Sequence, residues 1–205
     1  MKEQDEIVVA TTRLASDDPV VELAEREGVR WFRGDEADVL SRFAGAAQES
    51  KADLVVRITS DCPLVDPEES DRVVHELRTN GSNADYASNI LRRTYPQGLD
   101  TEAFWADTLN RVHRLASSAN SREHVTWYIY RERPDLFMCR SVADTVNNSD
   151  LRWTLDTSED LESIRKIYQG LSLSETPRPY RDILAYVRAH PELVAINAGV
   201  VQKHS

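Results

Sequence analysis

Apolar residues along this chain follow two rhythms, and the alternation between them predicts the fold. Residues 6–12 hold a short apolar centre, Ile7-Val8-Val9-Ala10, of strand length, and Asp18-Pro19 then sets a helix start with proline in the first turn. Val20, Val21, Leu23 and Ala24 are expected to form the inner face of that helix, and Gly28 to end it. Residues 29–33 read as a second strand, closed by Gly34-Asp35. Val39, Leu40, Phe43, Ala44 and Ala47 recur at helical spacing, and residues 53–59 are strand again. This βαβαβ order with short connectors implies an α/β fold: a parallel sheet with helices on both faces, because parallel neighbours need long, right-handed crossovers.

The second half is less regular. Pro67 starts a helix with Val73, Val74 and Leu77 facing inward, and residues 80–83 turn the chain toward a segment at 84–88. A turn at 96–98 precedes an expected strand at 101–105 and a helix at 106–118. Ser121 is expected to cap a helix that carries Arg122, His124 and Tyr128 and stops near Pro134. Residues 136–142 and 151–155 look like strands. The second leads into a helix with Ser158 as N-cap and Leu161, Ile164, Ile167 and Tyr168 inside, and a last helix covers 180–190. With no repeat or linker in view, the pattern predicts a single domain over 1–205, with 171–205 as a C-terminal helical extension.

Charge narrows the partners. The formal net charge of −10 argues against nucleic acid, which needs a basic face to displace counterions. No apolar run approaches the ~20 residues of a membrane helix and residues 1–6 are polar, so no membrane contact and a cytoplasmic location are expected. Cys62 and Cys139 stand alone, without the spacing of a zinc site, and Asp61 beside Cys62 disfavours a thiolate.

Two carboxylates carry the candidate chemistry. Asp61 follows an apolar strand and is pinned by Pro63, and Asp156 repeats the arrangement ahead of a helix. Acids at strand ends can converge on one Mg²⁺, which takes one or two protein carboxylates plus water and phosphate oxygens. Each has a plainer reading, a turn cap for Asp61 and a helix cap for Asp156. Arg122 with His124, Arg92-Arg93 and Gly98-Leu99-Asp100 either meet an anionic acceptor or are structural. There is no Walker loop, G-x-G-x-x-G or hydrolase triad.

Seven words occur in order: I-V-V-A-T-T, F-R-G-D-E-x-D-V-L-x-R, V-V-R-I-T-S-D-C-P-L-V-D-P, T-Y-P-Q-G-L-D, S-R-E-H-V-T, L-R-W-T-L-D-T-x-E-D-L and P-E-L-V-A-I-N. With them the chain resembles the spore-coat polysaccharide biosynthesis proteins of the cytidylyltransferase family, relatives of the CMP-ketodeoxyoctonate and CMP-sialic acid synthetases. The resemblance implies a Rossmann-like nucleotidyltransferase sheet, CTP and Mg²⁺ as partners, a homodimer, and transfer of CMP to an acidic sugar or related acceptor. It places Asp61 and Asp156 at the metal, and Thr12, Gly34, Asp35, Asp38, Arg42, Arg57, Thr59 and Ser60 at the nucleotide. Gly98, Asp100, Arg122 and His124 fall on the acceptor side.

The resemblance also implies a preceding βα unit with a loop Q-A-R-x-x-S-x-R-L-P-x-K that holds the triphosphate. Residues 1–205 open on the second strand, so the fold is expected to lack that unit and an isolated copy to be a poor catalyst. Two other functions stay open: a non-catalytic binding or assembly module of the same fold, and a GT-A-like glycosyltransferase, although Ser60-Asp61-Cys62 lacks the second acid of a D-x-D motif.

Overall fold

A computed structural model describes residues 6–80 and 83–201. Strands β1 (Val8–Thr12) and β2 (Arg30–Gly34) run parallel, with Val8 opposite Arg30 and Thr12 opposite Gly34. Helix α1 (Asp18–Arg26) links them, and α2 (Val39–Glu49) leads to β3 (Leu54–Arg57). The expected α/β layering is found, but the sheet expected to be parallel is parallel only in part. β3 belongs to a second, mixed sheet of order β3-β5-β4-β6, built with β4 (Tyr86–Ser88), β5 (Glu102–Trp105) and β6 (Cys139–Ser141). β5 is antiparallel to both β3 and β4, since the chain enters it by a loop rather than by a helical crossover.

Helices flank this sheet on both faces, as the strand alternation requires. Val55 packs with Leu40 and Ala44 of α2, Leu109 and Val112 of α4 (Ala106–Leu115), and Phe104. Its neighbours Leu54 and Val56 point the other way, onto Val73, Val74 and Leu77 of α3 (Pro67–Asn80). A third core joins Trp153, Tyr95 and Leu99 to α6 (Ser158–Leu171), α7 (Tyr180–Ala189) and α8 (Pro191–Asn197).

Several boundaries depart from the sequence pattern. Val20 and Leu23 remain exposed, because a two-stranded ribbon offers α1 only the width that Val21 and Ala24 cover. The helix expected to be capped by Ser121 is the short α5 (Ala119–Glu123), capped by Ser118 Oγ, which accepts from the Ser121 N–H. It gives way to a π-helical turn, Tyr128–Glu132. Thr157, not Ser158, caps α6, in a reciprocal box with Asp160. Residues 80–83 were expected to turn; Gly81 and Ser82 lie outside the described residues. Helix α8 was missed, although Pro191 is a fitting first-turn residue.

Residues 151–155 form no ladder strand. They are extended and stitched between two loops: Gln97 N–H donates to Leu151 O at 2.9 Å, Trp153 N–H to Gln97 O at 2.6 Å and Leu155 N–H to Asp61 O at 2.9 Å. Gly98 permits this approach. Its φ is +99°, and a Cβ there would sit 2.4 Å from the Trp153 carbonyl carbon and 2.5 Å from Thr154 N. Gly98→Ala is expected to destabilise the chain by about 1–3 kcal/mol, from left-handed strain plus displaced backbone. A urea titration showing an unchanged midpoint would refute that role.

Candidate active site

The two predicted acids are brought together. Thr59 Oγ1 donates to Asp61 Oδ1 and orients that carboxylate. Across from it, Thr154 Oγ1 lies 3.2 Å from Asp61 Oδ2 and 3.4 Å from Asp156 Oδ2. A hydroxyl has one proton and can serve only one of these oxygens at a time. Asp156 is held from behind by Arg152, whose Nη2 donates to the same Oδ2 at 2.6 Å. The caps of α6 fall to Thr157 and Asp160, which removes the plain capping reading of Asp156.

Arg152 is itself anchored on buried Asp160, through Nε at 2.9 Å and Nη2 at 2.9 Å. Asp160 also accepts from the N–H groups of Asp156 and Thr157 and from Asn197 Nδ2 of α8. Burial alone pushes its carboxyl up, but bonds from Arg152, Asn197 and the Asp156 N–H outweigh it and hold the group at about 2, against an ordinary 3.8. A depressed carboxyl stabilises the fold above its unfolded value and loses that contribution as pH falls toward the folded one. About 2 kcal/mol is therefore expected to disappear between roughly pH 4 and pH 2. The acid dependence of unfolding should be shallower in Asp160→Asn; equal slopes would exclude the assignment.

The residues placed at the nucleotide by resemblance line the carboxyl ends of β1 and β2. Thr12 ends β1 and donates from Oγ1 to Asp17 at 2.7 Å. Gly34 ends β2 against the stem of Arg42, and Asp35 accepts from the N–H groups of Ala37 and Asp38. Asp38 caps α2 through Ser41 N–H, while Arg42 donates to Asp35 O at 2.8 Å. Thr59 and exposed Ser60 lie on the turn that carries Asp61. Arg57 points sideways, to buried Glu102 directly opposite on β5.

The acceptor-side set divides. Asp100 is clasped by Arg93 through two bonds, of 2.7 and 2.8 Å, beside Gly98. Arg122 crosses to Asp38 and donates to His113 O, tying α5 to α2 beside a residue that the resemblance places at the nucleotide. His124 stacks at a tilt on Trp127, with centroids 6.0 Å apart. Burial, with the charge of Asp61, pushes the Cys62 thiol up to about 12, which disfavours the thiolate a nucleophile needs.

Arg152 and Thr154 were missed by the sequence reading. The signal was present, since Arg152, Thr154 and Asp156 sit at alternate positions of an extended segment and so share a side. Arg57, Arg93, Arg122 and Arg152 are each engaged by a carboxylate: Glu102, Asp100, Asp38 and the Asp156/Asp160 pair.

Comparison with known proteins agrees with this architecture. The sequence profile of the family described as Cytidylyltransferase matches residues 1–178. An uncharacterized protein of Methanocaldococcus jannaschii is 36% identical over 98% of this chain and 81% of its own length. The spore coat polysaccharide biosynthesis protein SpsF of Bacillus subtilis is 33% identical, over 82% of this chain and 69% of its own. Among solved structures, a cytidylyltransferase from Leptospira borgpetersenii superposes with TM-score 0.85 at 28% identity, covering 96% of this chain and 80% of the other. The CTP complex of CMP:2-keto-3-deoxy-manno-octonic acid synthetase shares the fold, with TM-score 0.59 at 14% identity and 81% of each chain covered. The chain belongs to the cytidylyltransferase family.

Proposed function

We propose that the chain binds CTP across the carboxyl ends of β1, β2 and β3 and transfers its CMP unit to an oxygen of an acidic sugar or related acceptor, releasing pyrophosphate. The observation that carries this reading is the convergence of Asp61 and Asp156 on the Thr154 hydroxyl, 93 residues from Asp61 in sequence. The donor set suits Mg²⁺: hard carboxylate oxygens, and no group of three or more His, Cys, Asp or Glu among the described residues to complete a cage without substrate. When bound, the ion neutralises phosphate charge and polarises the phosphorus under attack.

The protein's own groups divide the remaining work. Arg152 fixes the Asp156 carboxylate from behind, and Thr59 fixes that of Asp61, so both acids would hold the ion in set orientations. Gly34, Asp35 and Asp38 form the wall beside base and ribose, and the Arg93–Asp100 clasp flanks the acceptor. Because Arg57, Arg93, Arg122 and Arg152 are each held by a carboxylate, phosphate charge would fall largely to the metal and to Arg42, whose guanidinium meets only the Asp35 carbonyl among the described residues. The relative SpsF, named for spore coat polysaccharide biosynthesis, supports a product used in surface polysaccharide; a homodimer working in the cytoplasm is part of the same proposal.

Pyrophosphate release from CTP and Mg²⁺ with a panel of acidic sugars tests the proposal, with UTP and ATP as controls. Release with CTP and one acceptor class is expected. CTP binding without release for any acceptor would favour the non-catalytic module, a reading to which the pairing of Arg57, Arg93, Arg122 and Arg152 with carboxylates lends support. Turnover of a UDP-sugar with Mn²⁺ would favour the glycosyltransferase.

A further inference from the structure

Helix α8 lies beyond residues 1–178, the part of the chain that the family profile matches, yet it reaches the group that braces Asp156. Its last residue, Asn197, is buried. Nδ2 of that residue donates to Asp160 Oδ1 at 2.8 Å and to Arg152 O at 3.0 Å. Both partners only accept, and an amide nitrogen carries two protons, so one group serves both at once. Asn197 thereby ties the backbone of Arg152 to the carboxylate that grips the Arg152 side chain. The other oxygen of Asp160 meets Arg152 Nη2 and the N–H groups of Asp156 and Thr157, each of the latter at 3.1 Å. Every bond that orients Asp156 from behind therefore leads back to the side chain of Asn197.

The same helical layer touches the other acid as well. Tyr168 of α6 donates from Oη to Pro63 O at 2.9 Å, on the turn that carries Asp61, and α6 and α8 share one core through Ile164, Ile167 and Leu193. The spacing of the two acids is thus set partly by these helices. Mg²⁺ demands near-ideal octahedral geometry, and a ligand is useful only when held within about 0.5 Å of its productive place. We infer that Asn197 is a positioning residue for the metal end of the site, acting through Arg152 and Asp160 to set the Asp156 carboxylate. Helix α8 is then part of the site and not an addition to it. The inference rests on the proposed reading of Asp156 as a metal ligand. Partners that orient a ligand from behind are worth about ten- to a hundredfold in metal affinity.

Two variants of the full chain test it: Asn197→Ala, and Asn197→Leu, which keeps the branched shape and lacks the donor. Leu193→Ala serves as the control, since it removes apolar packing from the same helix and neither bond of Asn197. Calorimetry of CTP with and without Mg²⁺ reads the metal-dependent part of binding. Both Asn197 variants are expected to weaken that part by at least about tenfold and to leave metal-free CTP binding at the parent's level, whereas Leu193→Ala changes neither. Hydrogen exchange without metal gives a second readout. The Asp156 and Thr157 amides, which bond Asp160, should exchange faster in both Asn197 variants, while β4 keeps the parent's rate. A loss in Asp156→Ala with none in either Asn197 variant overturns the inference and leaves the metal reading standing. No loss in Asp156→Ala overturns the metal reading and the inference with it. Equal losses in Leu193→Ala and the Asn197 variants would give α8 a structural role alone, and also overturn the inference.

Discussion

Asp61→Ala is expected to weaken magnesium-dependent CTP binding, and any turnover that accompanies it, by about a hundredfold or more, the scale of losing one preorganised electrostatic group. Asp156→Ala should do the same, and the double variant little more, because two ligands of one ion act as a unit. Calorimetry of CTP with and without Mg²⁺ measures all three. Asparagine separates the competing roles. Asp61→Asn keeps an acceptor for the Thr59 hydroxyl and caps turns well, so full recovery of binding in that variant would return Asp61 to a capping role. Both variants should unfold within about 0.5–1 kcal/mol of the parent, since Asp61 is partly exposed and Asp156 is on the surface.

Glu102→Ala is expected to cost about 3–5 kcal/mol of stability, because it strands the Arg57 guanidinium inside the sheet without its counter-charge. Two further donors lose their acceptor: the Tyr86 hydroxyl, 2.6 Å from Oε1, and the Thr126 hydroxyl on the same oxygen. Removing both charges with an Arg57→Met/Glu102→Leu pair should recover much of the loss. Urea unfolding of the single and double variants decides this, and a single-variant loss under 1 kcal/mol would show that water reaches the network.

The first βαβαβ half was legible because each element there has a clean period and an end signal, such as Gly28 after α1 or Gly34 after β2. Asp61 and Asp156 were legible for a related reason, each standing where an apolar run stops. What sequence could not supply was register between distant segments. Only the antiparallel pairing of β3 with β5 sets Arg57 opposite Glu102, and only the docking of α5 on α2 brings Arg122 to Asp38 across 84 residues. Residues 119–134 misled the reading for a local reason. A π-helical turn keeps helical spacing approximately while breaking the ladder, so periodicity merges two short pieces into one helix. Residues 151–155 have a strand composition, but their partners are loops, and composition does not report partners.

The stitch from Leu155 N–H to Asp61 O has a consequence for the order of assembly. That bond closes a loop of more than ninety residues, and contacts of such range form late because their chain entropy must be overcome before they gain anything. The local β1-α1-β2 and β4-β5 units need no such closure. Substitutions in the Trp153, Tyr180 and Ile167 core should therefore accelerate unfolding far more than they slow folding. Under mild denaturant the two acids should separate while β1 and β2 still hold their register.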